Sequence, residues 1–159
     1  MKARTIRHCP GAPIWALLVL AMLAACPGCK RATRPPQVII NGHPWYVDIA
    51  RTMQEQATGL AGRKYLSPDV GMLFVLERPR EVVFCMRGCD IPLDIAFISS
   101  DLRVVSVQTM VVEPDRAGRV PYPSGQPVQY ALEVAAGGLA RAGVKVGDRV
   151  ELVATGEGN

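Results

Sequence analysis

The sequence predicts one mainly β domain, a β-sandwich or small barrel of about eight strands with one or two short helices. Two observations predict this class. From Val38 onward, short apolar runs rich in β-branched and aromatic residues alternate with turn residues. The length of 159 residues and the hydrophobic content of 49% suit a single folded domain rather than a disordered chain.

Strands account for most of the predicted elements. Val38–Ile40 and Trp45–Ala50 flank an Asn41-Gly42 turn, and this dipeptide between two apolar runs is a strong hairpin signal. Further strands are predicted at Met72–Leu76, Val82–Met86, Leu93–Ser99, Val104–Val112, Val128–Val134 and Arg149–Val153.

Two short helices interrupt the strands. The first is predicted from Thr52 to Leu60, because Thr52 and Glu55 have the spacing of a capping box and glycines follow. A short helical turn fits Ala136–Ala142. The longest stretch without a secondary-structure signal is Glu113–Gln126, and loops of that length are usually functional or disordered.

The first 36 residues predict export and attachment to a membrane. Residues 1–25 have the pattern of a secretory signal peptide, with three positive charges before the uncharged run Ile14–Ala25. The run ends in Leu23-Ala24-Ala25-Cys26, which resembles the lipobox of bacterial lipoproteins and implies cleavage before Cys26 and its acylation. An ordinary cleaved signal with an incidental cysteine is the alternative. Residues 26–36 are then a lipidated flexible tether, and 37–159 form the β domain.

The predicted location is the bacterial cell envelope, on its periplasmic or outer-surface side, with the membrane as partner through Cys26.

The distribution of charge supports a separate role for residues 1–36. The formal net charge of +4 would suggest nucleic acid as a partner. However, six of the 18 Lys and Arg residues lie in residues 1–36, while all 14 Asp and Glu residues lie in 37–159, which therefore carries −2. No nucleic-acid partner is expected.

Motifs along the domain resemble the domain-of-unknown-function 192 family. They are ATGLAGR at 57–63, LSPDVGMLF at 66–74, FCMRGCDIPLD at 84–94, YALE at 130–133 and a GxxxGD pattern at 143–148. The resemblance implies a jelly-roll-like β-sandwich and no established activity. Ala61, Cys85 and Gly88-Cys89 stand where the family often has methionine, tryptophan and Asn-Thr. A family site built on that tryptophan or asparagine is therefore not carried over.

Two carboxylates stand in apolar strands, namely Asp94 and Glu133. Because charged residues are seldom buried unless paired, Arg63 and Arg87 are candidate partners. Three interpretations stay open: an ion-pair cluster that fixes strand ends, the polar floor of a ligand pocket, or a glycosidase-like acid pair.

The long loop adds Tyr122, whose ring can pack against a sugar face. The leading hypothesis is a non-catalytic binding domain for a small polar ligand or an envelope carbohydrate. Its ligand-binding residues would be Arg63, Arg87, Asp94, Tyr122 and Glu133. One alternative is an envelope glycan hydrolase that uses Asp94 and Glu133, and another is a protein-interaction module with no small ligand.

The cysteines of the domain are Cys85 and Cys89. They form a disulfide if the chain between them turns, or they are inert buried thiols, or they form a reactive site. His43 is the single histidine after the signal peptide, so neither a metal site nor a cofactor is predicted.

Overall fold

The structure is a computed structural model that describes residues 35–154. The predicted signal peptide, the lipidation site at Cys26 and most of the tether lie outside the described residues. Within 35–154 no helix is long and apolar enough to cross a membrane. The elements of this part of the chain are β1 (Gln37–Ile40), β2 (His43–Ala50), α1 (Met53–Thr58), β3 (Val70–Arg80), β4 (Val83–Phe84), β5 (Leu93–Ile98), β6 (Val104–Met110), β7 (Tyr122–Pro123), β8 (Val128–Ala135), α2 (Gly138–Arg141) and β9 (Val150–Val153).

Seven strands form one curled sheet in the order β6-β5-β8-β3-β2-β1-β9. Only the β2–β3 pair is parallel, and α1 lies in the connection that such a pair requires. The edge strands meet at one end, where Val104 N donates to Asp148 O at 2.9 Å and Val150 N to Leu102 O at 2.9 Å. The prediction of a mainly β fold is confirmed. The curled sheet resembles half of a barrel.

Both faces of this sheet are covered by apolar side chains. Alternation along each strand sends neighbours to opposite faces, so Leu73 and Phe74 belong to different clusters. We call these clusters the Phe74 core and the Trp45 core. The Phe74 core also contains Ile95 and Phe97 of β5, whereas the Trp45 core contains Ala96 and Ile98. All six residues of β5 are consequently buried.

The locally encoded elements are confirmed. Asn41 and Gly42 have φ of 53° and 76°, the left-handed values that a tight hairpin turn requires. Thr52 caps α1 and makes the predicted capping box with Glu55.

One strand was not predicted. The segment Glu113–Gln126 contains β7, which pairs with the two-residue β4 as a separate small sheet. Its residues, Tyr122 and Pro123, carry no alternating pattern, and proline is unusual inside a strand except at an edge. This small sheet lies over the Phe74 core, to which Tyr122 belongs.

Candidate functional site

The candidate site is a cavity of about 520 Å³ beside the Phe74 core. The end of α1, strands β3, β4 and β7, and the turn after β4 form its walls. Glu133 lines it from β8, in the middle of the large sheet. The volume lies within the range of about 300–1,000 Å³ that is typical of small-molecule sites.

Glu133 is the buried polar group of this cavity. Its neighbours Leu132 and Val134 belong to the Trp45 core, so alternation turns Glu133 toward the Phe74 core. The residue is 5% exposed, and no hydrogen bond or ion pair within residues 35–154 reaches its carboxylate. Burial raises the pKa of Glu133 to about 8. The cavity is therefore lined by a carboxyl that is mostly protonated at neutral pH.

Two thiols share the cavity with this carboxyl. Cys85 is half-buried and Cys89 is buried, and both line the cavity as free cysteines. Burial, followed by the charges of Glu133, Cys85 and Asp90, raises the pKa of the Cys89 thiol to about 11. The disulfide that the sequence left open is not formed in this structure.

A tight turn separates the two cysteines, as the disulfide interpretation required. Cys89 N donates to Met86 O at 3.1 Å, and Gly88 adopts a φ of 69° that favours glycine. Gly88 N in turn donates to Arg116 O at 3.0 Å, in the long loop. A Cβ on Gly118 would lie 2.7 Å from Arg87 Cβ, so loop and turn pack in direct contact. This contact places Arg87 at the rim of the cavity, where it is exposed.

The long loop is itself ordered by a carboxylate. Glu113 accepts hydrogen bonds from Arg119 N at 3.0 Å and from Val120 N at 2.9 Å. These backbone hydrogen bonds hold the pKa of Glu113 below its ordinary value. The loop that the sequence marked as functional or disordered is thus fixed against the turn of the cavity.

Asp94 lies on the other face of the sheet. Its register partner on β8 is Val134, whereas Glu133 is opposite Ile95. Asp94 accepts hydrogen bonds from Thr109 Oγ1 at 2.8 Å and from Leu139 N at 3.2 Å, beside the Trp45 core. The two carboxylates therefore do not flank a common cleft, and the acid pair that the alternative glycan hydrolase requires is not assembled.

Arg63 and Tyr122 also have partners outside the cavity. Arg63 forms an ion pair with Asp48, on the neighbouring β2. The Tyr122 hydroxyl accepts a hydrogen bond from Val111 N at 3.0 Å, and the residue is only 8% exposed. Of the five predicted ligand-binding residues, the structure brings Arg87 and Glu133 to one cavity and places the other three elsewhere.

Sequence reasoning missed the aromatic part of the cavity. Phe74 and Phe84 lie in predicted strands, and neither is among the predicted ligand-binding residues. Both line the cavity, and Arg80 stands exposed beside them. Residue type alone does not distinguish a ring packed inside a core from one that faces a cavity at its margin. The difference arises where β3, β4 and α1 meet, which no local motif encodes.

Residues 35–154 contain no cluster of three or more His, Cys, Asp or Glu side chains that could hold a metal ion.

Comparison with known proteins gives a family match. The family model of DUF192, described as Uncharacterized ACR, matches residues 37–152. No curated protein matches the chain significantly.

Two solved structures resemble the chain over most of its length. One is a candidate transcription regulator from Sinorhizobium meliloti 1021, with 31% identity and a TM-score of 0.67. The match covers 79% of this chain and 97% of that one. The other is a protein of unknown function from Novosphingobium aromaticivorans DSM 12444, with 35% identity and a TM-score of 0.63. This second match covers 80% of this chain and 94% of the Novosphingobium chain.

Proposed function

The chain belongs to the DUF192 family, and we propose that its β domain is a non-catalytic binding domain for a small polar ligand or an envelope carbohydrate. The ligand occupies the cavity beside the Phe74 core and contacts Glu133. Arg87 is the second predicted residue at that cavity, on its exposed rim.

The unpartnered carboxyl of Glu133 is the observation that carries this proposal. No side chain or backbone group within residues 35–154 pairs with it, so its hydrogen-bonding capacity is left to a molecule in the cavity. A structural carboxylate has its partners within the protein, as Asp94 does. Glu133 differs from it in lacking them and in facing a cavity.

A thermal-shift screen of the full exported chain against envelope sugars and small metabolites tests the proposal. A ligand at about 100 times its dissociation constant adds about 2.7 kcal/mol to the free energy of unfolding. We expect at least one compound to raise the melting temperature, and Glu133→Gln to reduce that increase. Glu151→Gln is the matched control and should retain the increase, because Glu151 is exposed on β9 and does not line the cavity. A screen in which no compound produces a shift would argue against the binding function.

The regulator name of the Sinorhizobium protein is not carried over to this chain. Residues 37–159 contain 12 Lys and Arg against 14 Asp and Glu, and a net acidic domain repels a polyanion.

Attachment to the cell envelope through Cys26 is part of the same proposal. It is supported by the sequence pattern of residues 1–26 and by the short basic tether that follows. Cys26→Ser is expected to move the exported protein from the membrane fraction to the soluble fraction. Cys29→Ser, three residues away, is the control that stays in the membrane fraction. Equal membrane retention of both variants would argue against lipidation at Cys26.

A further inference from the structure

Two aromatic rings line the cavity. Phe74 and Phe84 both line it, with ring centroids 4.9 Å apart and planes at 88°. Phe84 also contacts Phe97 at 5.6 Å and 71°. Such edge-to-face pairs fix the orientation of each ring. Ring faces are negative, so aromatic walls attract cations as well as apolar chains.

No positively charged side chain of the described residues occupies the Glu133 carboxylate, which is therefore free to pair with a ligand. Within residues 35–154 no Lys or Arg side chain forms an ion pair with it. The other titratable or charged side chains that line the cavity are the thiols of Cys85 and Cys89, together with Arg80, Glu81 and Arg87. Those last three are exposed, so water screens them at the mouth of the cavity. The cavity thus combines a carboxyl that has no hydrogen-bond partner within the described residues with aromatic and apolar walls.

We propose that the cavity binds an organic cation, whose ammonium group pairs with the Glu133 carboxylate while its carbon chain lies against Phe74 and Phe84. An ammonium group supplies three hydrogen-bond donors and a positive charge, which are the two things that the carboxylate lacks. The inference rests on the proposed binding function and specifies its ligand class.

Binding of this kind displaces a proton. Glu133 is mostly protonated in the empty cavity at neutral pH, and pairing with an ammonium group requires the ionised form. The proton of Glu133 leaves to solvent as the cation enters. Affinity should then rise about tenfold per pH unit up to about pH 8 and level off above it.

The probe is n-butylammonium, compared with 1-butanol and butanoate at equal ionic strength on the full exported chain. Its charge is constant from about pH 6 to pH 9, because an alkylammonium like that of lysine titrates near about 10.4. We expect n-butylammonium to raise the melting temperature by an amount that grows up to about pH 8 and then levels off, and the other two probes to have no such effect. Calorimetry near pH 7 in two buffers of different ionisation enthalpy should show close to one proton released.

Glu133→Gln is expected to abolish the pH-dependent shift, and Glu151→Gln to preserve it. An equal shift with 1-butanol, a shift with butanoate that grows toward low pH, or an unchanged response of Glu133→Gln would each overturn the cation assignment. In those cases a Glu133-dependent response to another compound still supports the binding function. The binding function itself fails only if no compound in either experiment shifts the protein.

Discussion

At the scale of single residues, the Glu133 carboxyl couples the stability of the domain to pH. Burial raises its pKa from the ordinary 4.5 to about 8, so between these values the unfolded chain ionises while the folded protein stays protonated. The contribution of the protonated group is complete below about pH 4.5 and is lost as the pH rises through about 8. The free energy of unfolding should therefore fall by about 1 kcal/mol per pH unit in that window.

Glu133→Gln removes this titration and should flatten the pH dependence. Urea denaturation at several pH values between about 5 and 8 measures the difference in the free energy of unfolding. The free energy of unfolding of the variant, relative to that of the natural protein, is expected to increase as the pH rises. Glu151→Gln serves as the exposed control and should follow the natural protein. If the stability of Glu133→Gln declined with pH in parallel with that of the natural protein, Glu133 would not be the group that causes the pH dependence.

Cys89 gives a second prediction at this scale, through its reactivity. With its pKa raised to about 11, the thiolate fraction near pH 8 is about a hundredfold below that of an ordinary thiol. We expect iodoacetamide to modify Cys89 at least that much more slowly in the folded protein than in urea. Mass mapping of the labelled peptides separates Cys89 from the other cysteines. Equal rates in the folded and unfolded protein would contradict the burial of this thiol.

At the scale of elements, α1 depends on its cap, since it has only six residues. Thr52 Oγ1 accepts a hydrogen bond from Glu55 N at 3.2 Å, and Glu55 Oε2 accepts one from Thr52 N at 2.9 Å. Thr52→Ala should lower the free energy of unfolding by about 1 kcal/mol and speed amide exchange in α1. Met53→Ala is the control, because Met53 is 89% exposed. Equal losses in both variants would mean that the cap is not what holds the helix.

The elements also show how far the sequence determines this fold and site. The hairpin turn and the capping box are local, so Asn41-Gly42 and Thr52 with Glu55 predict them directly. The relation between Asp94 and Glu133 depends on the register of β5 against β8, which pairs Ile95 with Glu133. A shift of one residue would turn one strand over and place both carboxylates on one face. No local pattern encodes that register, so the sequence alone left an acid pair open as one interpretation, and the sheet places its two members on opposite faces.

At the scale of the whole domain, the seven-stranded sheet separates two cores within residues 35–154, and this predicts different roles for Asp94 and Glu133. Asp94 ties β5 to β6 and to the start of α2 by accepting from Thr109 Oγ1 and Leu139 N. Its loss would leave both donors without that acceptor beside the Trp45 core, at a cost of about 1–3 kcal/mol. Glu133 serves the cavity on the opposite face.

Asp94→Ala should therefore lower the melting temperature of the domain but leave the shift produced by n-butylammonium unchanged. Glu133→Gln should do the reverse near pH 8, raising the stability of the empty protein and abolishing the shift. Thermal denaturation of both variants with and without the probe measures the two effects together. Loss of the shift in Asp94→Ala, at a temperature where the variant is still folded, would show that the two faces of the sheet are not independent. The cavity would then be controlled by the sheet as a whole rather than by the side chains that line it.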